Sequence, residues 1–282
     1  MRDLWPASYL APMGTDTDET FQIPIEVAET YERDFVPALF AAWAPVTLEA
    51  VDLQPGHRLV DVACGTGIVA RTARREFGDG VDVTGVDLNQ AMLEVARRVE
   101  PGIEWVEGDA AALPMEPDTF DAATCQMAFM FFPDRRTALA EMARVVRPGG
   151  RLAALVPAGL EAQDAYGPFV DVAVRLSGDE ARSMLGTYWN CGDANAFCAL
   201  AEAAGWSAVS VTTPVGGAQF PSLEAFVDTE LDATPLGNRV TDEARAEIVA
   251  DLRPRLSQYL VDQAGDGGLM LPFACHLVTG TV

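Results

Sequence analysis

A glycine-containing turn is the first feature of this sequence whose residue types and spacing could support chemistry. The segment VDVACGTGI (60–68) reads as a strand that enters a helix through Gly65 and Gly67. Glycines permit tight turn geometry and a close approach of a ligand to the backbone. Asp87 follows at about the spacing of the acidic residue in the dinucleotide-binding fingerprint. Taken alone, a loop of this type is weak evidence for any one ligand.

Two further carboxylates, those of Asp61 and Asp109, narrow the class of ligand that the turn could bind. Asp61 lies inside the strand before the glycines, where a pyrophosphate-binding loop gains nothing from negative charge but a cationic or amino-bearing ligand would gain. Asp87 ends the second predicted strand, and Asp109 follows the third. Because ligands of open α/β sheets bind outside the carboxyl ends of the strands, these acids belong to one rim. They suit a ligand with ribose hydroxyls, an exocyclic amine and a positive centre.

Candidate general bases are few, because the sequence contains two histidines. His57 lies in the turn before the first strand, at the opposite end of the sheet, and His276 in the last strand is predicted to be structural. Asp134 could serve as a base but equally could cap the helix that follows it. The sequence therefore assigns no catalytic residue.

Metal and disulfide chemistry find no support in the sequence. The cysteines number five, are widely scattered, and include no C-x-x-C pair; no H-x-x-x-H pair is present either. This pattern argues against a zinc site or a disulfide scaffold, so we expect reduced thiols and no metal.

Charge excludes several classes of partner. All 19 basic residues are arginines, so a Schiff-base lysine, a P-loop lysine and a Tyr-x-x-x-Lys dyad are excluded. The formal net charge of −23 would repel a phosphate backbone or an anionic membrane surface. The longest apolar run (127–132) is too short to span a bilayer, and the first residues lack the apolar segment of a secretory signal. We expect a cytoplasmic protein without nucleic-acid or membrane partners.

The elements that must position these residues alternate between strands and helices. Strands are predicted at 59–63, 81–86, 103–106, 120–125 and 151–156, with helices at 68–77, from Asn89 onward, and at 133–146. Such βαβ units indicate a parallel sheet covered on both faces. Beyond residue 157 this alternation breaks, with helical patterns over 160–185, 193–204, 222–231 and 241–259 and strands at 206–213 and 269–278.

This alternation predicts one α/β domain over 25–282 after an N-terminal tail of residues 1–24. Within the domain, 25–156 would form the ligand-binding core, 157–192 and 214–268 helical insertions that could form a substrate lid, and 206–213 and 269–279 the last strands. The amphipathic segment 25–51 could either cover the rim of the core or pack on the sheet as an ordinary helix.

The glycine-containing turn belongs to a set of four motifs that follow one another along the chain. They are DVACGTG (61–67), VDLNQAML (86–93), GDA (108–110) and RVVRPGGRL (144–152). In this order and spacing they resemble the class I S-adenosylmethionine-dependent methyltransferases, and most closely the quinone-biosynthesis-like branch with many small-molecule members. The resemblance covers roughly residues 29–279 and departs at Ala63, where many members carry glycine.

The resemblance implies a fold and a cofactor. The fold is a doubly wound, mostly parallel seven-stranded sheet, Rossmann-like, with helical lid insertions and an N-terminal helical segment. The cofactor is S-adenosyl-L-methionine, with S-adenosyl-L-homocysteine as product. The implied cofactor-binding residues are Tyr31, Asp61, Ala63, Gly65, Thr66, Gly67, Asp87, Leu88, Met92, Asp109, Ala110 and Gln126.

Individual roles also follow from the resemblance. The backbone of residues 65–67 would cradle the methionine part, Asp87 would accept hydrogen bonds from the ribose hydroxyls, and Gln126 would face the methyl group. Leu88 and Met92 would sandwich the adenine, while Asp109 with Ala110 would read its amino edge. Structural alternatives remain open: the glycines could serve the turn only, the two acids could cap helices, and the apolar pair could belong to the core.

The acceptor is narrowed by the segment CQMAF (125–129), which lacks the Asn/Asp-Pro-Pro-aromatic pattern typical of enzymes that methylate amino groups of bases or glutamine. Candidates to line an acceptor pocket, or simply to pack, are Phe129, Tyr166, Tyr188 and Trp189. We therefore expect methyl transfer to O, N or C of a small, largely apolar acceptor, aromatic or polyketide-like, in specialised metabolism.

Other readings of the function stay open. They are a quinone-type C-methyltransferase, a non-methylating S-adenosylmethionine-binding enzyme such as a cyclase, and more remotely an NAD-dependent oxidoreductase, which Asp61 and the missing lysine disfavour. A homodimer is compatible with the sequence.

Overall fold

A computed structural model describes residues 22–232, 237, 239–261 and 268–282. Its strands are β1 (Arg58–Val62), β2 (Asp82–Asp87), β3 (Glu104–Glu107), β4 (Phe120–Gln126), β5 (Val146–Pro157), β6 (Ser207–Thr212), β7 (Val215–Phe220), β8 (Leu260–Val261) and β9 (Gly268–Thr281). Residues 1–21 of the expected tail, and residues 233–236, 238 and 262–267 of the second expected insertion, lie outside the described residues.

The strands form a mixed sheet in the order β3-β2-β1-β4-β5-β9-β6. Strands β1 to β5 run parallel, and β9 runs antiparallel between β5 and β6. Chain order reverses at β1, which pairs with both β2 and β4, so the crevice for a ligand opens at the carboxyl end of β1. The predicted doubly wound, mostly parallel Rossmann-like sheet is confirmed.

Two strands, β7 and β8, were not predicted. They pair with the first half of β9, whereas its second half lies in the main sheet. Through this long strand the sheet extends beyond the seven strands of the core. In β7, Gly216 leaves room for the ring of Trp43, since a Cβ at Gly216 would lie 2.6 Å from that ring. The N-terminal segment therefore packs directly on this extension.

Helices cover both faces of the sheet. They are α1 (Ile25–Thr30), α2 (Ala44–Glu49), α3 (Ile68–Phe77), α4 (Gln90–Val99), α5 (Arg135–Val145), α6 (Tyr166–Ser177), α7 (Asp179–Gly186), α8 (Ala194–Ala203), α9 (Leu223–Asp232) and α10 (Asp242–Arg255). Asn89 caps α4 and Asp134 caps α5, each by accepting a hydrogen bond from a backbone N–H three residues later. These caps fix where the helices after β2 and β4 begin.

The N-terminal segment departs from a regular helix. Between α1 and α2 the chain forms a π-helix, Tyr31–Phe40, that contains Pro37. Proline has no backbone N–H and disrupts the α-helical hydrogen-bond pattern, and here Ala41 N–H donates to the carbonyl of Val36, five residues earlier. Wide turns of this kind are frequent at functional sites. This one brings the stacked rings of Tyr31 and Phe40 together over the end of β1.

A substitution at Gly67 tests whether close packing against Trp105 requires a glycine in the turn after β1. Its φ is +87°, and an added Cβ would lie 2.1 Å from the buried ring of Trp105. We expect Gly67→Ala to lower the free energy of unfolding by ~1–3 kcal/mol more than the control Gly56→Ala. Gly56 has a nearly equal φ of +89° but no atom within 4 Å. Urea unfolding measures both; equal losses would show that backbone strain alone, without the Trp105 contact, explains the glycine.

Candidate functional site

A cavity of about 1510 Å³ opens along the carboxyl ends of β1 to β5. The π-helix, α6, the turn Thr187–Trp189, α9 and the first half of β9 also contribute lining residues. The volume exceeds the roughly 300–1,000 Å³ of an ordinary small-molecule site. It is therefore large enough for two ligands side by side.

Nine of the twelve predicted cofactor residues line this cavity. They are Tyr31, Ala63, Gly65, Asp87, Leu88, Met92, Asp109, Ala110 and Gln126. The other three, Asp61, Thr66 and Gly67, are not among its lining residues. The side chains of Asp61 and Thr66 are buried, and Gly67 packs on Trp105.

The two glycines of the loop, Gly65 and Gly67, have different structural roles. Gly65, with φ +56°, faces the cavity, and a Cβ there would lie 3.6 Å from the Tyr31 hydroxyl. Its N–H donates to Asp87 Oδ2 at 2.7 Å. Gly67 instead makes room for Trp105 beneath the loop. The first glycine thus opens backbone to a ligand, and the second allows the helix to pack on the sheet.

Asp87 links the first two strand ends. Its Oδ2 accepts from Gly65 N–H, and its Oδ1 accepts from Asn89 N–H at 2.8 Å. The alternative that Asp87 caps α4 does not hold, because Asn89 supplies that cap. Burial raises the pKa of Asp87. Each carboxylate oxygen has a second lone pair, so the group fits donors such as ribose hydroxyls.

Asp61 does not face the cavity, although its charge suggested contact with a cationic or amino-bearing ligand. Its side chain is buried (1% exposed), with Oδ1 accepting from Thr124 Oγ1 at 2.9 Å and Oδ2 from Ala70 N–H at 3.2 Å. Burial raises its pKa to about 7. Asp61 lines a separate space of about 20 Å³, shared with Gln126 and Tyr31. It therefore braces the loop from behind.

Gln126 ties the N-terminal segment to the end of β4. Its Oε1 accepts from Thr47 Oγ1 at 2.9 Å, and its Nε2 donates to the Phe40 carbonyl at 3.0 Å. Both amide functions are therefore held while the side chain lines the cavity. Thr47 was missed from the sequence, because nothing in α2 marks it as a partner of a residue 79 positions away.

Asp109 lies at the end of β3, exposed at the cavity rim. Its Oδ1 accepts from Ala111 N–H at 2.8 Å in the turn that follows. The other oxygen, Oδ2, can accept from a ligand.

On the acceptor side, three of the four predicted residues line the cavity: Tyr166, Tyr188 and Trp189. The ring of Tyr166 lies 5.4 Å from that of Trp189 and 5.3 Å from that of Phe273. Phe129 is the exception. It is 0% exposed and packs edge-on against Phe132 and Phe197, so it is a core residue.

Glu230 was missed from the sequence. It lines the cavity, is 7% exposed, and its Oε1 accepts from the Tyr166 hydroxyl at 3.2 Å. Burial raises its pKa to about 7. A signal existed: the apolar residues of α9 at 223, 226, 227 and 231 define its buried face, and Glu230 lies on the same face.

The bases considered from the sequence have other partners. His276 donates from Nε2 to the Gly192 carbonyl at 2.9 Å, so its Nδ1 accepts from Thr213 Oγ1 at 2.8 Å. His57 accepts from Gln54 N–H in the turn before β1. Asp134 lines the cavity, but its hydrogen bonds from Thr137 lower its pKa and mark it as a helix cap. None has the setting of a proton acceptor.

The described residues form neither a membrane-spanning helix nor a metal-binding cluster. No helix in the described ranges is long and apolar enough to cross a membrane. No group of three or more His, Cys, Asp or Glu side chains in that part of the chain could hold a metal ion.

Comparison with known sequences matches the central part of the chain. A family described as a methyltransferase domain matches residues 60–154. Demethylmenaquinone methyltransferase of Renibacterium salmoninarum is 40% identical over 111 residues, which are 39% of this chain and 45% of that protein. A 2-phytyl-1,4-naphtoquinone methyltransferase of Thermosynechococcus vestitus is 37% identical over 120 residues, 42% of this chain and 53% of that protein. The chain thus spans about half the length of these curated relatives.

Comparison with solved structures covers more of the chain and shows the fold. The YcgJ protein of Bacillus subtilis superposes with a TM-score of 0.56 at 18% identity, over 84% of this chain and 97% of that one. Phosphoethanolamine N-methyltransferase 2 of Haemonchus contortus, solved with S-adenosyl-L-methionine, gives 0.57 at 20% identity, over 92% of this chain and 57% of that one. The fold is that of the class I S-adenosylmethionine-dependent methyltransferases, residues 60–154 match a methyltransferase domain, and the sequence relatives include methyltransferases named for quinones.

Proposed function

We propose that the protein transfers a methyl group from S-adenosylmethionine to O, N or C of a small, largely apolar acceptor, aromatic or polyketide-like. The observation that carries the proposal is one continuous cavity that is lined both by the strand ends and by aromatic side chains of α6, the turn Thr187–Trp189 and β9. Methyl transfer needs the acceptor atom about 3–3.5 Å from the methyl carbon, in line with the departing sulfur. Cofactor and acceptor must therefore share one enclosure.

In this proposal the rim of the sheet holds the cofactor, which when bound supplies an electrophilic methyl group on sulfur. Gly65 presents backbone to the methionine part, and Asp87 accepts from the ribose hydroxyls. Leu88 and Met92 face the adenine, and Asp109 its amino group. All five residues line the cavity, and the lone pairs of the two carboxylates match the donors of that ligand. Asp61 supports them indirectly, through the loop that it braces.

The remaining volume is assigned to the acceptor. Its walls are mainly aromatic: Tyr166, Tyr188, Trp189 and Phe273 line it together with Met270. Such walls favour a flat, apolar molecule. The quinone names of the sequence relatives fit this description, and a quinone-type C-methyltransferase is one form of the proposal.

A non-methylating reaction is the second candidate. A solved cyclase has this fold, with a TM-score of 0.53 at 21% identity over 86% of this chain. The two candidates differ in what happens to the cofactor, because only methyl transfer releases S-adenosylhomocysteine.

An acceptor screen distinguishes them. The protein is incubated with S-adenosylmethionine and a panel of phenols, hydroquinones, aromatic polyketides and amines, and products are read by mass spectrometry. We expect one acceptor to gain a single methyl group with equimolar S-adenosylhomocysteine. Conversion of an acceptor without S-adenosylhomocysteine would favour the cyclase-like candidate. Failure to bind S-adenosylmethionine or S-adenosylhomocysteine would contradict both.

Asp87→Ala tests the cofactor half. Hydrogen bonds to a charged group contribute about 1.5–3 kcal/mol, so we expect the affinity for S-adenosylhomocysteine to fall roughly 10- to 150-fold by calorimetry. Asp82→Ala is the matched control, because Asp82 is exposed at the opposite end of the same strand. Unchanged binding by Asp87→Ala would remove the residue from the ribose role, and an equal loss in both variants would indicate a general effect on β2.

Trp189→Ala tests the acceptor half. Trp189 lines the cavity, and its ring packs against those of Tyr166 and Phe273. We therefore expect the acceptor KM to rise or kcat to fall severalfold while S-adenosylhomocysteine affinity changes by less than about twofold. Phe129→Leu is the control, since Phe129 is core and should change the melting temperature without changing acceptor selection. Parallel losses of melting temperature, cofactor affinity and turnover in Trp189→Ala would show that Trp189 only packs.

A further inference from the structure

The charged residues that line the cavity are strongly unbalanced. Among the described lining residues are seven carboxylates, Asp34, Asp87, Asp109, Asp134, Asp228, Glu230 and Asp232, and one guanidinium, Arg33. Arg33 is bonded through both its Nε and its NH2 group to Asp34. An acceptor that enters with a carboxylate or phosphate would therefore meet repulsion. An acceptor that becomes anionic during the reaction needs a group in the cavity to take its proton.

Glu230 differs from the other lining carboxylates in combining burial with a single hydrogen bond. The others are engaged by arginine or by backbone and hydroxyl donors: Asp34 by Arg33, Asp228 and Asp232 by Arg245, Asp87 by Gly65 and Asn89, Asp109 by Ala111, and Asp134 by Thr137. Among the described residues, Glu230 receives a single hydrogen bond, from Tyr166, and pairs with no arginine. A buried carboxylate without a cation is costly and tends to take up a proton.

The groups that face Glu230 explain its proton affinity. Tyr166 comes from α6 and Tyr188 from the turn after α7; burial raises the pKa of both hydroxyls, and the Glu230 carboxylate raises them further. Arg245 of α10 is directed to Asp228 and Asp232 instead. From β7 and β9 the cavity receives apolar side chains, Phe220, Met270 and Phe273. Burial raises the pKa of Glu230 to about 7, and the Tyr166 hydrogen bond opposes this rise. Proton exchange near neutral pH is the property of an effective general base.

We propose that Glu230 is the proton acceptor for a neutral, hydroxyl-bearing aromatic acceptor, with Tyr166 as the positioning residue that orients its carboxylate. The proposal rests on the methyl transfer proposed above. The acceptor O–H bond breaks, and its proton passes to Glu230. The electron pair left on oxygen, or delocalised to a ring carbon, forms the new bond to the methyl carbon, while the carbon–sulfur bond breaks with its electron pair on sulfur. Glu230 then returns the proton to solvent.

A hydroxyl is favoured over an ammonium group by the surroundings of Glu230. A cation-binding carboxylate must stay charged when the site is empty, which additional hydrogen-bond donors would ensure. Glu230 has one such donor and apolar neighbours, which favour the protonated form instead. Its environment is therefore suited to exchange a proton rather than to hold a permanent cation.

Binding of matched probes tests the proposal without a known substrate. Wild type and Glu230→Gln, both saturated with S-adenosylhomocysteine, are titrated with 2-naphthol, 2-methoxynaphthalene and 2-naphthylmethylamine above neutral pH. We expect wild type to bind the naphthol at least tenfold more tightly than the ether, and Glu230→Gln to lose most of that preference. No preference in wild type, a preference that survives Glu230→Gln, or tightest binding of the amine would each overturn the proposal. Loss of S-adenosylhomocysteine binding by wild type would instead contradict the proposed function itself.

Infrared titration of protein labelled with ¹³C-glutamate provides the second readout. Wild type should show a protonated carboxyl band that titrates near pH 7 and is absent from Glu230→Gln. Because the Tyr166 hydroxyl lowers the pKa of Glu230, Tyr166→Phe should move the titration to higher pH. A purely structural role of Tyr166 would leave it in place. Absence of a Glu230-dependent band, or a titration unmoved by Tyr166→Phe, would overturn the assignment.

Discussion

The site depends on the buried carboxylate of Asp61. Its backbone belongs to β1, where the strand order reverses, and its oxygens reach Thr124 on β4 and the first turn of α3 at Ala70. One side chain thus links the two strands that flank the crevice to the helix that leaves it. No arginine pairs with Asp61 among the described residues, so these two hydrogen bonds must offset the cost of burial. Burial leaves its pKa near 7, well above the ordinary value of an aspartate.

Because the loop is pinned from behind, its front surface is free to face a ligand. Ala63, Gly65 and Gly67 all have positive φ, and Gly65 N–H is directed to Asp87 at the end of β2. The N-terminal segment closes this arrangement from above, since Gln126 binds both Phe40 and Thr47. Three separate stretches of sequence therefore meet at one strand end, with the last residue of the π-helix, Phe40, held by Gln126.

The central βαβ units were predictable because each strand is a short apolar run with a clear turn on either side, and α3 begins and ends where the sequence indicated. The strand β7 was not, because VGGAQF has two glycines and only partial burial. The run at 127–132 has no periodicity, so it did not reveal that Phe129 faces the core. Pro37 marked a disturbed helix but not its π geometry. Gly67 and Asp61 belonged to the motif, yet their contacts with Trp105 and Ala70 depend on packing that spacing does not encode.

The cofactor-binding half and the acceptor half of the cavity differ in how much of each is covered by the match to the methyltransferase family. The family match ends at residue 154, and the residues that face the acceptor space, Tyr166, Trp189 and Glu230 among them, all lie beyond it. The named relatives therefore inform the cofactor-binding half, whereas the class of acceptor is inferred from the residues that line the other half. Those walls combine aromatic rings with an excess of carboxylates, among which Glu230 is buried and pairs with no arginine in the described part of the chain. That combination rejects anions, accommodates flat apolar molecules, and places a proton acceptor where a weakly acidic hydroxyl would need one.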